Sequence, residues 1–403
     1  MTDTIEGGTA AACSSSCPLY SPRSPLPGRK ASPMKFNRRH THGFDRQAAG
    51  HEGSVLNLSE EGDDGAQSRS ILKRLQEEEV LVYESIYSQD DDPIQEFIPE
   101  YFGEALIEVC SKHSSMSVNG DDSTNAKPGD RFIRLSNCLA GFNHPLVMDI
   151  KMGVRSFVEE ECTSLKPRPD LYERMLASEP SAPTEEEKVL KSITKHRWMT
   201  WRDQMSSSHS LGFRIDGIAG PADAKLQHSD FMYVREREHV VRELLDFLPP
   251  PRWRSSAERK EEALQSQVAS CLLDSEETLL LKLELARRLR ERLQHLQAAC
   301  EASPFFKAHE FVGASLLLAA EANPMQADIF LIDFAKTRPL PEGVCIDHRQ
   351  PWVLGNHEDG FLFGLENCIK CWDEVIETLE EEASKTPSLK MTEVLEEEAE
   401  EKT

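Results

Sequence analysis

The nine residues Pro145-Leu-Val-Met-Asp149-Ile-Lys151-Met-Gly153 constrain the fold more than any other stretch of the chain. Side chains of a strand alternate between faces, so Met148, Ile150 and Met152 point one way into a core while Asp149 and Lys151 project together from the other. A strand of this kind fits two settings. One is an exposed sheet edge, where the two charges form an ion pair worth little. The other is a cleft that uses both.

A second stretch favours the cleft. Phe330-Leu-Ile-Asp333-Phe-Ala-Lys-Thr337 reads as an apolar strand that ends abruptly in a carboxylate. A carboxylate on a rigid strand end suits magnesium, which takes one or two carboxylates and completes its shell with phosphate oxygens and water. The same Asp333 can instead cap the following turn. Earlier in the chain, Lys73 lies on a strand beginning at Ser70, and Glu79 falls in a helical stretch from Gln76 to Tyr87. That order permits the lysine, phosphate and glutamate arrangement of protein kinases, although such pairs are common in an acidic chain. The small turn Ala49-Gly-His-Glu-Gly-Ser54 precedes another strand and is of a size to cover nucleotide phosphates.

Residues 166–210 read as helical. Pro183 and a Thr184/Glu187 capping box open a helix that continues through Val189, Leu190, Ile193 and Met199. Lys188, Lys191, Lys195 and Arg202 then form one basic stripe, with Lys195 and Arg202 roughly 10 Å apart along the axis and Trp198 between them. Three readings fit: a site for a multiply phosphorylated small molecule with Arg202 as the forked donor, a solvated face, or a calmodulin target carrying Trp198, Met199, Trp201 and Met205.

The whole chain has 403 residues and a formal charge of -24, which argues against nucleic acid as the main partner. No apolar run approaches the roughly 18 to 20 residues of a membrane helix, no signal peptide is evident, and ten cysteines lack a repeating spacing. These features predict a cytoplasmic protein with reduced thiols. The lone Cys368-x-x-Cys371 reads as half-buried thiols rather than zinc ligands.

Five segments are expected. Residues 1–43 form a disordered tail with a kinase-type Arg29-Lys-Ala-Ser32-Pro sequence. Residues 44–165 form an N-terminal lobe of mixed sheet and one helix that includes the Asp149–Lys151 strand. Residues 166–210 are a helical insert. Residues 211–379 form a C-terminal lobe with strands at 211–218, 314–319 and 329–334, a flexible insertion at about 249–276, an amphipathic helix at 279–296 and a last helix from Phe361 to about Leu379. Residues 380–403 form an acidic disordered tail.

Taken in order, the Gly-His turn, Lys73, Pro145-x-x-x-Asp149-x-Lys151-x-Gly153 and Ile332-Asp333-Phe334 resemble the inositol polyphosphate kinase family. Val154-Arg-Ser-Phe-Val-Glu-Glu-Glu161, Ala182-Pro-Thr-Glu-Glu-Glu-Lys188, Leu211-Gly-Phe-Arg-Ile-Asp-Gly-Ile218, Ser303-Pro-Phe-Phe-Lys307 and Pro339-Leu-Pro-Glu-Gly343 are similar to its inositol 1,4,5-trisphosphate 3-kinase branch. The resemblance covers about residues 46–380. It implies an α+β fold: a two-lobed, protein-kinase-like or ATP-grasp body of antiparallel sheets with an inserted α-helical domain that binds the inositol phosphate. It also implies transfer of a phosphoryl group from ATP, with Mg2+, to the 3-hydroxyl of inositol 1,4,5-trisphosphate. Ser54, Lys73, Glu79, Asn137, Asp149 and Asp333 would then serve ATP, with Asp333 and Ser315 at the magnesium. Lys151, Lys195, Trp198 and Arg202 would contact substrate, and Asp149 would be either base or ribose anchor. The basic helix overlaps the branch's Ca2+/calmodulin-binding region, here Trp198, Trp201 and Met205.

Departures from the family pattern bear on affinity. Ala219 stands where relatives have Lys, a lost contact worth about 1.5 to 3 kcal/mol unless Lys225 substitutes. Asn137 and Cys138 replace an acidic hinge residue and Leu, Trp198 replaces Tyr, and His357 replaces Arg. Two other readings accompany the 3-kinase: a broader multikinase and a calmodulin-binding pseudokinase scaffold.

Overall fold

The computed structural model describes residues 33–37, 41–43, 54–58, 68–89, 91–108, 129–220, 225–264 and 275–385. The first strands are β1 (Met34–Asn37), β2 (Thr41–Gly43), β3 (Val55–Leu58) and β4 (Ser70–Arg74), followed by α1 (Glu77–Tyr87), β5 (Tyr101–Glu108) and β6 (Arg131–Ser136). They make one six-stranded sheet in the order β1-β5-β6-β4-β3-β2. All its pairings are antiparallel except β1 on β5. Alternation along the strands sorts their side chains. Leu56, Leu72, Ala105 and Phe132 fill one face, while Ile133 and Leu135 join Val80, Tyr83 and Ile86 of α1 on the other.

β7 (Leu146–Met152) opens the second half. Helices α2 (Glu159–Cys162), α3 (Pro169–Ser178), α4 (Glu185–Leu190), α5 (Lys195–Met205) and α6 (Ser208–Leu211) then precede β8 (Phe213–Ala219) and β9 (Lys225–Gln227). Next come α7 (Arg237–Phe247), α8 (Ser256–Leu264), α9 (Glu276–Ala302), α10 (Pro304–Lys307), β10 (His309–Phe311), β11 (Ser315–Ala322), β12 (Met325–Ile332), β13 (Thr337–Pro339) and α11 (Phe361–Lys385). A five-stranded sheet runs β12-β11-β7-β8-β9 with antiparallel pairing throughout, and β10 pairs with β13.

The helices of this half cover the methionine face. α9 buries Leu279, Leu283, Ala286, Leu289, Leu293, Leu296 and Cys300 at helical three- and four-residue steps, and α11 does the same with Phe361, Leu365, Cys368, Trp372, Val375 and Leu379. They pack along each other and onto Met148, Ile150, Met152, Leu316 and Leu318. Cys368 and Cys371 are therefore buried thiols of this core. Gly153 ends β7 at φ +95°, where a Cβ would meet the Asp359 carbonyl oxygen at 2.8 Å. Only glycine combines that conformation with that approach.

Several boundaries differ from expectation. The break between lobes falls before β7, because β7 pairs with β8 and β11 and the Asp149–Lys151 strand belongs to the second sheet. Within the expected N-terminal tail, residues 34–37 and 41–43 form the outermost strands of the first sheet, their backbone groups completing its two edges. β5 and β6 escaped the sequence reading, since their alternation is diluted by Arg131, Arg134 and Glu104.

The long basic helix is two helices. α4 ends at Lys191, which turns to φ +48°, and Thr194 then caps α5 by accepting from the Arg197 N–H at 3.0 Å. Lys188 and Lys191 therefore leave the stripe, and Lys188 pairs with Glu185 at 2.7 Å. The first half of the expected flexible insertion is also packed. Buried Arg254 and Arg259 both pair with Glu243 of α7, at 2.6 and 2.8 Å, and Arg259 stacks over Phe231. The final helix runs on to Lys385, taking Glu380–Glu382 out of the acidic tail. The Ala49–Gly53 turn, the Ser32 motif and the rest of both tails lie outside the described residues.

Candidate active site between the two sheets

Register sets the central charges. In the second sheet Lys151 stands opposite Arg214 on one side and Ser315 on the other, and Asp149 stands opposite Gly217 and Leu317. A bulge in β8 at this point admits Asp216 as an extra residue, adding a further acid beside Asp149, Lys151 and Arg214. Asp149 is 5% exposed. Burial pushes it up to about 7, against the opposing pull of Lys151 and with reinforcement from Asp216.

Asp333 joins the two lobes. It follows β12 at φ +68° and accepts from Lys73 Nζ at 2.7 Å and Lys151 Nζ at 3.4 Å. Lys73 also donates to Glu79 at 2.6 Å, and the fully buried Glu79 carboxylate takes the Phe334 N–H at 3.0 Å. Burial alone would raise Asp333, but Lys73 and Lys151 hold it far below the ordinary carboxylate range. Despite burial, Asp333 and Glu79 hold Lys73, and Asp333 and Asp149 hold Lys151, above the ordinary lysine value. The sequence pairs Lys73/Glu79 and Asp149/Lys151 thus meet through Asp333.

The corner's own atoms fit a divalent cation carried on phosphates. Asp149 Oδ1 and Ser315 Oγ lie beside each other, buried and without a hydrogen bond of good geometry among the described residues, so hard oxygen ligands stand next to Asp333. Among the described residues no three His, Cys, Asp or Glu side chains converge on one point.

The insert brings further cations to the same side. α5 is fastened by buried Asp203, whose carboxylate accepts from the Ser156 N–H at 2.9 Å, Ser156 Oγ at 2.8 Å and Arg214 Nη1 at 3.0 Å. One residue earlier, Arg202 Nε is buried with no hydrogen-bond partner among the described residues. Burial and the neighbouring Arg214 bring Arg202 down to about 10. Lys195 reaches Glu161 at 2.5 Å, and Lys336 reaches the other oxygen of Glu161 at 2.8 Å. Lys336, Arg214, Asp216 and Glu161 were not singled out as site residues from the sequence. Lys336 was within reach of that reading, standing three residues after Asp333.

Other expected site residues are engaged differently. Asn137 spends its amide on the hinge, donating to the Ser68 carbonyl at 2.7 Å and accepting from the Leu139 N–H at 3.0 Å. A cleft of about 550 Å3 runs past Asn137, Cys138, Tyr87 and Phe330 but touches none of the charged residues above. Ser54 offers its carbonyl to the Arg74 N–H. Trp198, Trp201 and Met205 pack within the insert against Leu171, Met175 and Ile193, with Trp201 only 7% exposed. Ala219 lies in an apolar cluster with Leu139, Phe142, Val147 and Ala319, and exposed Lys225 stands directly across the ladder from it.

Two lobes joined by a lysine–aspartate–lysine contact beside a cationic helical insert define a protein-kinase-like body. A family model described as inositol polyphosphate kinase matches residues 132–373, and the chain belongs to that family. It is 41% identical over 247 residues to human inositol-trisphosphate 3-kinase A, covering 60% of this chain and 46% of that protein. It is 33% identical over 327 residues to human inositol-trisphosphate 3-kinase B, covering 80% of this chain and 28% of that one. The chain thus spans about half the length, or less, of these curated relatives. The solved structure of an inositol phosphate multikinase from S. cerevisiae with ADP and Mn2+ aligns at 18% identity and a TM-score of 0.42, covering 76% of this chain and 99% of that one. No described helix is long and apolar enough to cross a membrane.

Proposed function

We propose that the chain is an ATP- and Mg2+-dependent kinase that phosphorylates the 3-hydroxyl of inositol 1,4,5-trisphosphate to give inositol 1,3,4,5-tetrakisphosphate, acting in cytoplasmic inositol phosphate signalling. The observation that carries this reading is the continuous run of contacts from Glu79 through Lys73 and Asp333 to Lys151.

Phosphoryl transfer demands positioning and neutralisation of charge spread over phosphate oxygens. Bound nucleotide with its divalent cation supplies the transferable group. Lys73, oriented by Glu79, would hold nucleotide phosphates, and Asp333 with Ser315 would hold the cation. Lys151 keeps one N–H beyond those given to Asp333 and the Gly313 carbonyl, and that donor would meet the reacting hydroxyl. Asp149, raised to about 7 by burial, has the proton affinity of a general base near neutral pH, which favours that role over a ribose anchor. Lys195, Trp198, Arg202 and Lys336 would receive the substrate's phosphates and ring.

A pseudokinase scaffold fits poorly with an intact Lys73–Glu79–Asp333 arrangement. Calmodulin regulation through Trp198, Trp201 and Met205 would require the insert's core to open. Incubation with ATP, Mg2+ and a panel of inositol phosphates, with identification of product isomers, tests the reading. A single 3-phosphorylated product supports it, several products indicate a multikinase, and no product rejects it.

A further inference from the structure

Glu161 belongs to the four-residue helix α2, and its carboxylate does three things at once. Oε2 accepts from the Val158 N–H at 3.1 Å, closing the helix's first turn, and from Lys336 Nζ at 2.8 Å, while Oε1 accepts from Lys195 Nζ at 2.5 Å. The two lysines come from different parts of the molecule, Lys195 from the helical insert and Lys336 from the segment after β12. Among the described residues, this carboxylate is the hydrogen-bond partner the two lysines share. Two ammonium groups on one anion would otherwise repel, and both belong to flexible chains with many rotamers to lose.

We propose that Glu161 is a positioning residue that holds the ammonium groups of Lys195 and Lys336 side by side as a prepared edge for one phosphate group of the inositol phosphate. The inference rests on the kinase reading above and adds a residue to it. Donor counting supports it. An ammonium has three N–H donors. Lys336 gives one to Glu161 and one to the Ser156 carbonyl at 2.8 Å, leaving one, while Lys195 gives one to Glu161 and leaves two. The remaining donors sit on groups already fixed in place, so a phosphate meets an ordered receptor rather than two mobile side chains. Charge also supports it. Burial and the nearby Lys195 and Arg202 lower Lys336, and Glu161 is the group that opposes them. Glu161 in turn is held ionised by the two lysines against the effect of burial.

Glu161→Gln separates this role from helix capping, because glutamine can still accept from the Val158 N–H but carries no charge. The experiment is steady-state kinetics of the full chain with inositol 1,4,5-trisphosphate and ATP·Mg2+, with thermal melting of each variant alongside. For Glu161→Gln the expected result is a KM for the inositol phosphate raised about tenfold, with KM for ATP and kcat within about threefold of wild type. Glu161→Asp, which keeps the charge, should recover part of the loss. An unchanged KM for the inositol phosphate in a folded Glu161→Gln overturns the proposal, as does a lowered one, which would make Glu161 a competitor of the phosphate. Equal rises in both KM values would reduce Glu161 to a structural part and overturn it too. A wild-type chain that turns over no inositol phosphate would instead reject the kinase reading, and this inference with it.

Discussion

Replacing Asp203 by Asn tests how the insert is held. The carboxylate is 4% exposed and accepts from the Ser156 N–H, Ser156 Oγ and Arg214 Nη1. The Ser156 hydroxyl can rotate, but the other two donors are fixed, and asparagine has one oxygen for both. One fixed donor must therefore face an NH2 group, and Arg214, itself 3% exposed, loses a counter-charge while keeping Asp216. Breaking a buried pair costs about 3–5 kcal/mol. The surviving hydrogen bond and Asp216 place this case near the lower end, about 3 kcal/mol. At roughly 2 °C per kcal/mol for a large domain, Tm should fall by about 6 °C. Because α5 carries both Lys195 and Arg202, a small shift of the helix should raise KM for the inositol phosphate by about tenfold or more, with KM for ATP nearly unchanged. Differential scanning fluorimetry and initial rates at varied concentrations of each substrate measure both effects. A Tm within about 1 °C of wild type together with an unchanged KM would refute the view that Asp203 anchors the insert.

Asp333→Asn should leave the protein folded and reduce ADP production by at least about 10³-fold, since the charge shared by Lys73 and Lys151 disappears; normal turnover would remove Asp333 from the site. With Asp149 as base, log(kcat/KM) should rise with pH to a plateau above about 7, because a carboxyl raised by burial is protonated and inactive below that value. The same profile in Asp149→Asn would exclude the base role. Ala219→Lys should lower Tm rather than improve substrate affinity, because the side chain would enter the cluster of Leu139, Phe142 and Val147, with overpacking alone costing about 1–3 kcal/mol. A tighter KM without loss of stability would contradict this. Trp201→Ala should cost about 3–5 kcal/mol from the insert's core, so a melting curve must accompany any test of a Ca2+/calmodulin response. An unchanged melt would mean that Trp201 is not a core residue.

The parts of the fold legible in the sequence were those with strong local pattern. The alternation of Leu146–Met152 and the heptad-like spacing of α9 and α11 each report one buried face, and that face is what the structure uses. Asp149, Lys151 and Asp333 stood out because a charge interrupting an apolar strand is costly unless it is employed. What was not legible depended on partners distant in sequence. β7 looked like part of the first lobe because nothing local says which strands will flank it. The break at Lys191 was hidden because Val189, Leu190 and Ile193 continue a helical period, although Val189 and Leu190 are in fact strongly exposed. Arg254 and Arg259 looked like a solvated charged loop, since their pairing with Glu243 is visible only in three dimensions. Glu161 and Asp203 carry no local signal of their roles for the same reason.

The ion pairs that pin α8 also separate two parts of the chain mechanically. Arg259 fixes the stretch leading to Leu264 through Glu243, and re-entry at α9 is secured by Ser275, whose hydroxyl accepts from the Thr278 N–H at 3.3 Å. Each end is anchored by contacts of its own. The two anchors share no residue, so weakening one leaves the other formed.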